Sequence, residues 1–532
     1  MSSVSSISIR HPGYLNLLVF VAGLVTLGLE LTAARLLDPW FGNSILVWTA
    51  LIGLILASLS VGYWIGGKLA DRRPSATLLY TICLVAALLV ALVPVASRPI
   101  LQRAALSSLN LENVSAGLLL AAAVSIFLLF SFPTLLLGIV SPFAARLAVS
   151  DVETSGQTVG RLYALSSVGS LTGTFLPVLV LIPSIGTRLT FILLAGLLAA
   201  VALIGLFLEK GRRAAPFFLA LPLLILLTWL SSQGAVKPSK GLVHEGESLY
   251  NYYQVLQKGS ETWLKLNEGI GLHSVYHPQS ALSNGIWDYF LVAPLFAQRE
   301  ANPQPADTAS VTSMYLVGLA GGTAAQLYSK VYGPIPIDGV ELDPDIVQAA
   351  YDYFHLGDYP NIDAVAADGR TWLMAQPPDK RYSVIAVDAY RPPYIPFQLA
   401  TVEFFRLARE HLEEDGVIAV NAARSQDDYR LVNALASTMG QVFPSVYVID
   451  ESTEGFALGN SLLVATVQPT TLSDFQANAA AIDPSAQPLL AEMIRRSATT
   501  ARPANTDGPV LTDDRAPIEQ IIHSIMLRYL FE

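Results

Sequence analysis

Between residues 14 and 230 the chain is written almost entirely in apolar runs about 20 residues long, the length an α-helix needs to cross a bilayer core. No other feature constrains the fold so strongly. Backbone amides cannot go unpaired in lipid, so segments of this kind must be helices. The runs cover residues 14–36, 45–67, 76–97, 115–145, 160–183, 188–208 and 214–232, joined by short connections such as KLADRRPS and EKGRR. The first run is too long for a signal-peptide core and is followed by further spans, so it is expected to stay as an anchor. Residues 1–235 therefore read as a multi-pass helical membrane domain with the lipid bilayer as its partner, and the expected location is the cell membrane.

Charge separates this half from the rest. Up to residue 235 there are 13 Lys+Arg against 7 Asp+Glu, a net of +6; the remainder carries 19 against 35, a net of −16. An acidic soluble half argues against nucleic-acid binding. It would suit a cationic substrate, but a solvated acidic surface is the preferred reading. The single cysteine, Cys83, lies inside the third run, so neither a disulfide framework nor a thiol nucleophile is expected. The seven histidines show no metal-ligand spacing, and no metal centre is expected.

Lys and Arg gather after the second run (Lys68, Arg72, Arg73), between the fourth and fifth (Arg146, Arg161) and after the sixth (Lys210, Arg212, Arg213). The positive-inside rule makes these connections and the N-terminus cytoplasmic. Seven crossings then leave the soluble half outside, whereas a second crossing within the fourth run, which contains Pro133 and Pro142, or a segment that only re-enters, would return it to the cytoplasm. Within the runs, Glu30 and Arg35 read as a structural ion pair or an interfacial placement rather than a transport site. The glycines of GYWIGGKLADR and GSLTGTF read as sites of close helix packing.

After a polar linker, residues 241–300 begin with a stretch that alternates apolar and polar residues with Gly at the breaks, a small antiparallel β unit, and continue with NGIWDYFLVAPLF, which reads as helical. From Met314 to the end of the 301–532 domain, seven short β-rich runs alternate with helix-sized segments: MYLVG, IDGVEL, IDAVAAD, YSVIAVDA, GVIAVNA, SVYVID and SLLVATV. This is the pattern of a doubly wound, Rossmann-like α/β sheet, whose ligands bind beyond the carboxyl ends of the strands.

Those ends carry the candidate site. Gly318, Gly321 and Gly322 stand between the first strand and a helix, where missing side chains allow close approach to the backbone, or simply form a tight turn. The second strand ends in Glu341, about 20 residues on, the spacing at which an acid accepts ribose hydroxyls; Asp343 before Pro344 reads as the next helix cap. Asp368, ending the third strand, could accept from an exocyclic amine or cap a helix, and Asp388 ends the fourth in VIAVDAYRPP. A glycine loop and three acids on four successive strands point to a nucleoside.

With these motifs in view, the chain resembles the polyamine aminopropyltransferases, the spermidine synthase family, and in particular its multi-pass membrane members. The likeness covers nearly the whole chain: LGLELTAARLLDPWFGNS, GYWIGGKLADR and VGRLYALSSVGSLTGTFLP in the first half, and YYQVL, the glycine loop, VELDP, AADG, AVDAY and LTDDRAPIE in the second. The resemblance implies a methyltransferase-type Rossmann fold that binds decarboxylated S-adenosylmethionine, or S-adenosylmethionine, as co-substrate and needs no metal. It assigns the ribose to Glu341, the adenine to Asp368, the nucleoside tail to Gln254, and proton removal from an amine or polyamine acceptor to Asp388. A homodimer is compatible with it.

The departures fall on the acceptor side. Where the family carries a second aspartate before proline, this chain has Arg391, and where it has tyrosine, histidine and glutamate, this chain has Ile286, Trp287 and Asp288. Its glycine loop is shorter and lacks the internal aspartate. Tyr390 and Arg391, with Trp287 and Asp288, are thus the candidate acceptor residues. A cation in place of an anion, at about 1 kcal/mol per contact even in water, disfavours plain putrescine if Arg391 points inward. The competing expectation is a non-catalytic nucleoside or polyamine sensor, or a domain associated with a transporter.

Overall fold

The computed structural model describes residue 11 and residues 13–42, 45–108, 114–267, 271–298, 311–390, 395–452 and 458–522. It divides into two compact units, the first comprising Met1–Ser239 with Glu247–Tyr252 and Asn267–Gly269, and the second the remainder.

In the first unit the apolar runs form α1 (Tyr14–Phe41), α2 (Ile45–Arg72), α3 (Ala76–Ser108), α4 (Val114–Ala148), α5 (Ser155–Leu176), α6 (Ile182–Lys210) and α7 (Ala220–Ser231). Five helical stretches among the described residues are long and apolar enough to cross a membrane. The fifth, Ser155–Ser231, is broken by positive φ angles at Gly186 and Gly211. It forms three legs, the last of which starts as a 3₁₀ turn over Gly211–Leu219. α4 is one unbroken helix despite Pro133 and Pro142.

Contacts between the helices set their directions. Gly169 lies against Phe20, Gly173 against Leu24 and Gly28 against Pro177, so α1 and α5 run the same way. Gly62 against Leu135 and Gly66 against Ile139 make α2 and α4 parallel, and Arg146 at the end of α4 pairs with Asp71 at the end of α2, 3.1 Å away. α6 opposes α1, since the Tyr14 hydroxyl donates to the Val201 carbonyl at 2.9 Å while Gly28 meets Leu194. Tyr80, early in α3, meets Gly205, late in α6; Arg188, early in α6, donates to the Ser231 carbonyl at the end of α7. Hence α1, α3, α5 and α7 share one direction, and α2 and α4, held between short connections, return. Among the described residues the helical legs are odd in number, and the fourth run is one helix rather than two.

The glycines at these crossings have a packing role. A Cβ at Gly169 would fall on the Phe20 carbonyl oxygen and one at Gly62 on the Leu135 carbonyl oxygen, whereas one at Gly67 would meet nothing within 4 Å. Arg35 belongs to α1. Its guanidinium donates to the carbonyls of Ser248, Leu249 (2.9 Å) and Tyr250 (3.4 Å), an interfacial placement.

The second unit starts with the expected small sheet, β1 (Leu242–Glu247), β2 (Tyr252–Lys258), β3 (Glu261–Leu266) and β4 (Ser274–Tyr276), in sequential order. NGIWDYFLVAPLF is helical as expected, but only Ile286–Tyr289 is α-helix (α8); Phe290–Phe296 tightens to 3₁₀ and is wholly buried. The main sheet holds all seven expected strands: β5 (Met314–Val317), β6 (Ile337–Glu341), β7 (Ile362–Ala366), β8 (Tyr382–Val387), β9 (Leu412–Ser425), β10 (Ser445–Asp450) and β11 (Leu458–Thr466), with a two-residue β12 (Arg502–Pro503). Their order is β12-β10-β11-β9-β8-β5-β6-β7; β5 to β9 pair in parallel and β11 runs antiparallel between β9 and β10. This is the methyltransferase-type Rossmann sheet. Alternation splits its side chains between two cores. Val384, Ala386, Val417, Ala419, Ile449 and Leu462 face the 286–296 segment, and Ile385, Val387, Ile418, Val420, Val448 and Leu463 face the other side.

Gly169→Leu or Gly62→Leu is expected to cost about 1–3 kcal/mol or more through overpacking and to lower the melting temperature in detergent, while Gly67→Leu leaves it unchanged. Odd legs also predict that topology reporters fused in the 149–154 connection and after residue 532 give opposite answers; the same answer from both would refute the alternation.

Candidate functional site

The glycine loop and the acid after it form one unit. Gly318 has φ +90°, and a Cβ there would stand 2.5 Å from the Asp388 carbonyl oxygen, so only glycine lets β5 and β8 end this close together. The Ala320 amide donates to Glu341 Oε2 at 2.9 Å and the Asp343 amide to Oε1 at 3.2 Å. The 20-residue spacing seen in the sequence is thus a direct contact between loop and acid. Burial raises the Glu341 carboxyl above its ordinary range, and these amides oppose the rise. Gly321 is filled rather than open: its amide donates to Ser274 Oγ at 2.8 Å, and a Cβ would strike Ser274 and Phe354. Gly322, φ +87°, is the N-cap of α9 (Thr323–Tyr332).

The helix caps divide as expected. Asp343 caps α10 (Pro344–Tyr353), its side chain accepting from the Asp345 amide at 3.1 Å. Asp368 likewise caps α11 (Gly369–Met374), accepting from the Thr371 amide at 2.9 Å, and stays half-buried two residues beyond β7. Gln254 is 3% exposed on β2, in the sheet whose Tyr253, Val255, Leu264 and Leu266 pack on α10 and Phe354.

Asp388 follows β8, with its amide bound to the Val317 carbonyl at 2.8 Å. Its Oδ1 accepts from Asn421 Nδ2 at 2.8 Å, and the Trp287 side chain also hydrogen-bonds the carboxylate. Burial pushes the carboxyl up to about 7; the two donors pull it down, and the charges of Glu451 and Glu341 add to the rise. A carboxyl poised near neutrality, largely buried at the sheet's carboxyl edge, is suited to take a proton and release it.

The acceptor-side candidates are dispersed. Trp287 reaches Asp388. Asp288 does not: it is fully buried and accepts from the Ser283 amide (2.9 Å), the Ser283 hydroxyl (2.7 Å) and the Asn284 amide (2.7 Å), which braces the turn before α8. The Tyr390 hydroxyl accepts from the Ala423 amide; burial and the charge of Asp388 push its pKa up, against that hydrogen bond. Arg391 lies outside the described residues. Sequence reasoning missed Asn421, although it is the one polar residue in the apolar strand GVIAVNA. It also left LTDDRAPIE without a role: Asp513 holds Arg370 of α11 through two bonds of 2.7 and 2.6 Å and accepts from Thr401 at 2.7 Å.

No protein-family model matches the chain. It is 37% identical over 204 residues to a probable polyamine aminopropyl transferase of Bifidobacterium longum, an alignment covering 38% of this chain and 42% of that protein. It is 27% identical over 222 residues to a polyamine aminopropyltransferase of Vibrio vulnificus, covering 41% and 70%. The chain thus spans less than half the length of the first of these relatives. Among solved structures, the chain is similar to a probable spermidine synthase from Corynebacterium glutamicum, at 18% identity and a TM-score of 0.41, over 52% of this chain and 97% of that one.

Because Asn421 lowers the Asp388 pKa by donating to the charged form, Asn421→Leu is expected to move it above 7 by about one pH unit. Isotope-edited infrared titration, with the band assigned by its loss in Asp388→Asn, reads this directly; an unmoved band would refute the role.

Proposed function

We propose that the chain is a membrane-embedded aminopropyltransferase in which Asp388 is the general base. The observation that carries this reading is the Asp388 carboxyl itself, held at the strand edge by Asn421 and Trp287 and pushed up to about 7. The names of the two aligned bacterial relatives support it. The donor, decarboxylated S-adenosylmethionine, supplies an electrophilic carbon beside a sulfonium. Glu341 would accept the ribose hydroxyls, Asp368 the adenine amine and Gln254 the tail, with the Gly318 turn setting the depth of the cleft. The acceptor amine gives its proton to Asp388 as its nitrogen attacks that carbon, and the electrons of the C–S bond return to sulfur.

Sidedness makes donor supply a separate question, so the assay uses purified full-length protein with donor and amine added. Asp388→Asn is expected to lower turnover about 10²- to 10⁴-fold with nucleoside affinity kept by calorimetry. Because the base is the deprotonated form and its pKa is raised, kcat/KM should climb as pH passes upward through about 7. Wild-type protein that binds no S-adenosyl nucleoside, or an Asp388→Asn variant with full turnover, would overturn the reading.

A further inference from the structure

One face of α2 changes character along its length. Ala57, Val61, Trp64, Lys68 and Arg72 recur at intervals of three and four residues, so they form a single stripe, and all five are exposed. Gly62 and Gly66 take the opposite face, against Leu135 and Ile139 of α4. The stripe is therefore turned away from the bundle. It is apolar as far as Trp64, which is 63% exposed, and cationic beyond it. Lys68 Nζ lies 3.5 Å from the Trp64 ring centroid, a cation–π contact that fixes the ammonium just past the indole.

The cations at the end of this stripe are not neutralised. Asp71 is the one acid in the last turn of α2, and Arg146 of α4 already holds it at 3.1 Å. Among the described residues no ion pair joins a carboxylate to Lys68, Arg72 or Arg73, the last of which opens the short exposed turn into α3. Depth fits a bilayer edge. Trp64 and Lys68 stand about 6 Å apart along the helix axis, close to the depth of the polar layer on one side of a membrane, about 5–7 Å. An exposed tryptophan with a lysine one turn beyond it marks the boundary between hydrocarbon and headgroups.

Resting on the membrane-embedded part of the reading above, we propose that this stripe is a binding site for an anionic phospholipid. An acyl chain lies along Ala57 and Val61, Trp64 sits at the hydrocarbon edge, and Lys68, Arg72 and Arg73 hold the headgroup phosphate. Three cations without a carboxylate attract a phosphate and repel the ammonium of a zwitterionic headgroup, so a headgroup with no positive charge of its own fits best. Arginine adds two-point contact to phosphate oxygens. Arg212 and Arg213 carry the same kind of charge on the same rim, but they follow the break at Gly211, φ +58°, and so do not continue the face of α6. The site belongs to α2.

The test uses full-length protein in detergent with added phosphatidylglycerol or phosphatidylcholine, and native mass spectrometry counts the lipids retained. Wild type should keep phosphatidylglycerol about tenfold or more in preference, and Lys68→Gln with Arg72→Gln and Arg73→Gln should bring the ratio near one. Arg212→Gln with Arg213→Gln should leave it unchanged. No preference in wild type overturns the site, as does an equal loss in both variants, which would mean rim charge alone. Free glycerol phosphate that displaces the lipid at equal concentration would assign the cations to a soluble phosphate and overturn the lipid. Should the triple variant not fold, Lys68→Gln alone, at an exposed position, should lower the ratio severalfold, and an unmoved ratio refutes the assignment. Washing membranes with alkaline carbonate separates the two readings: a released chain fails the membrane reading and the site with it, whereas a retained chain without lipid discrimination fails the site alone.

Discussion

Everything proposed for the soluble half depends on how closely β5 and β8 end together. A side chain at Gly318 would meet the Asp388 carbonyl, so the glycine is what allows the two central parallel strands to finish side by side. From that pair, parallel register carries Glu341 and Asp368 out on one side and Asn421 on the other, and alternation turns Glu341, Asp388 and Asn421 to one face. The buried 286–296 segment covers that face, and its Trp287 reaches back to Asp388.

Burial then sets the chemistry. An aspartate in water would be a weak base for an amine; beneath Trp287 and beside two other acids it holds its proton up to about pH 7. Asn421 prevents the shift from going further. Asp288, next in sequence to Trp287, faces the turn it braces, so one step along a short helix separates a residue at the base from one in the scaffold.

The first unit obeys a different constraint. Helices this long and apolar would gain little hydrophobic drive from one another in lipid, and they pack by close backbone approach at Gly62, Gly169 and Gly173, where small residues recur at helical spacing. Those contacts also fix direction, so the same glycines that pack the helices show that the legs alternate.

Much of this could be read along the chain. Apolar runs of spanning length, seven strands, the glycine loop with Glu341 about 20 residues on, the Asp343 cap and the Asp388 strand end all follow from local periodicity and from the chemistry of single residues at element ends. Asn421 could have been noticed as a polar interruption in an apolar strand, but nothing local says that it faces Asp388. Tertiary structure alone decided that Gly321 is filled by Ser274 and that Asp288 braces a turn rather than reaching the base. The physical reason is that crossover connections determine which strand ends become neighbours, and burial there determines which carboxyl keeps its proton; neither is a property of any one segment.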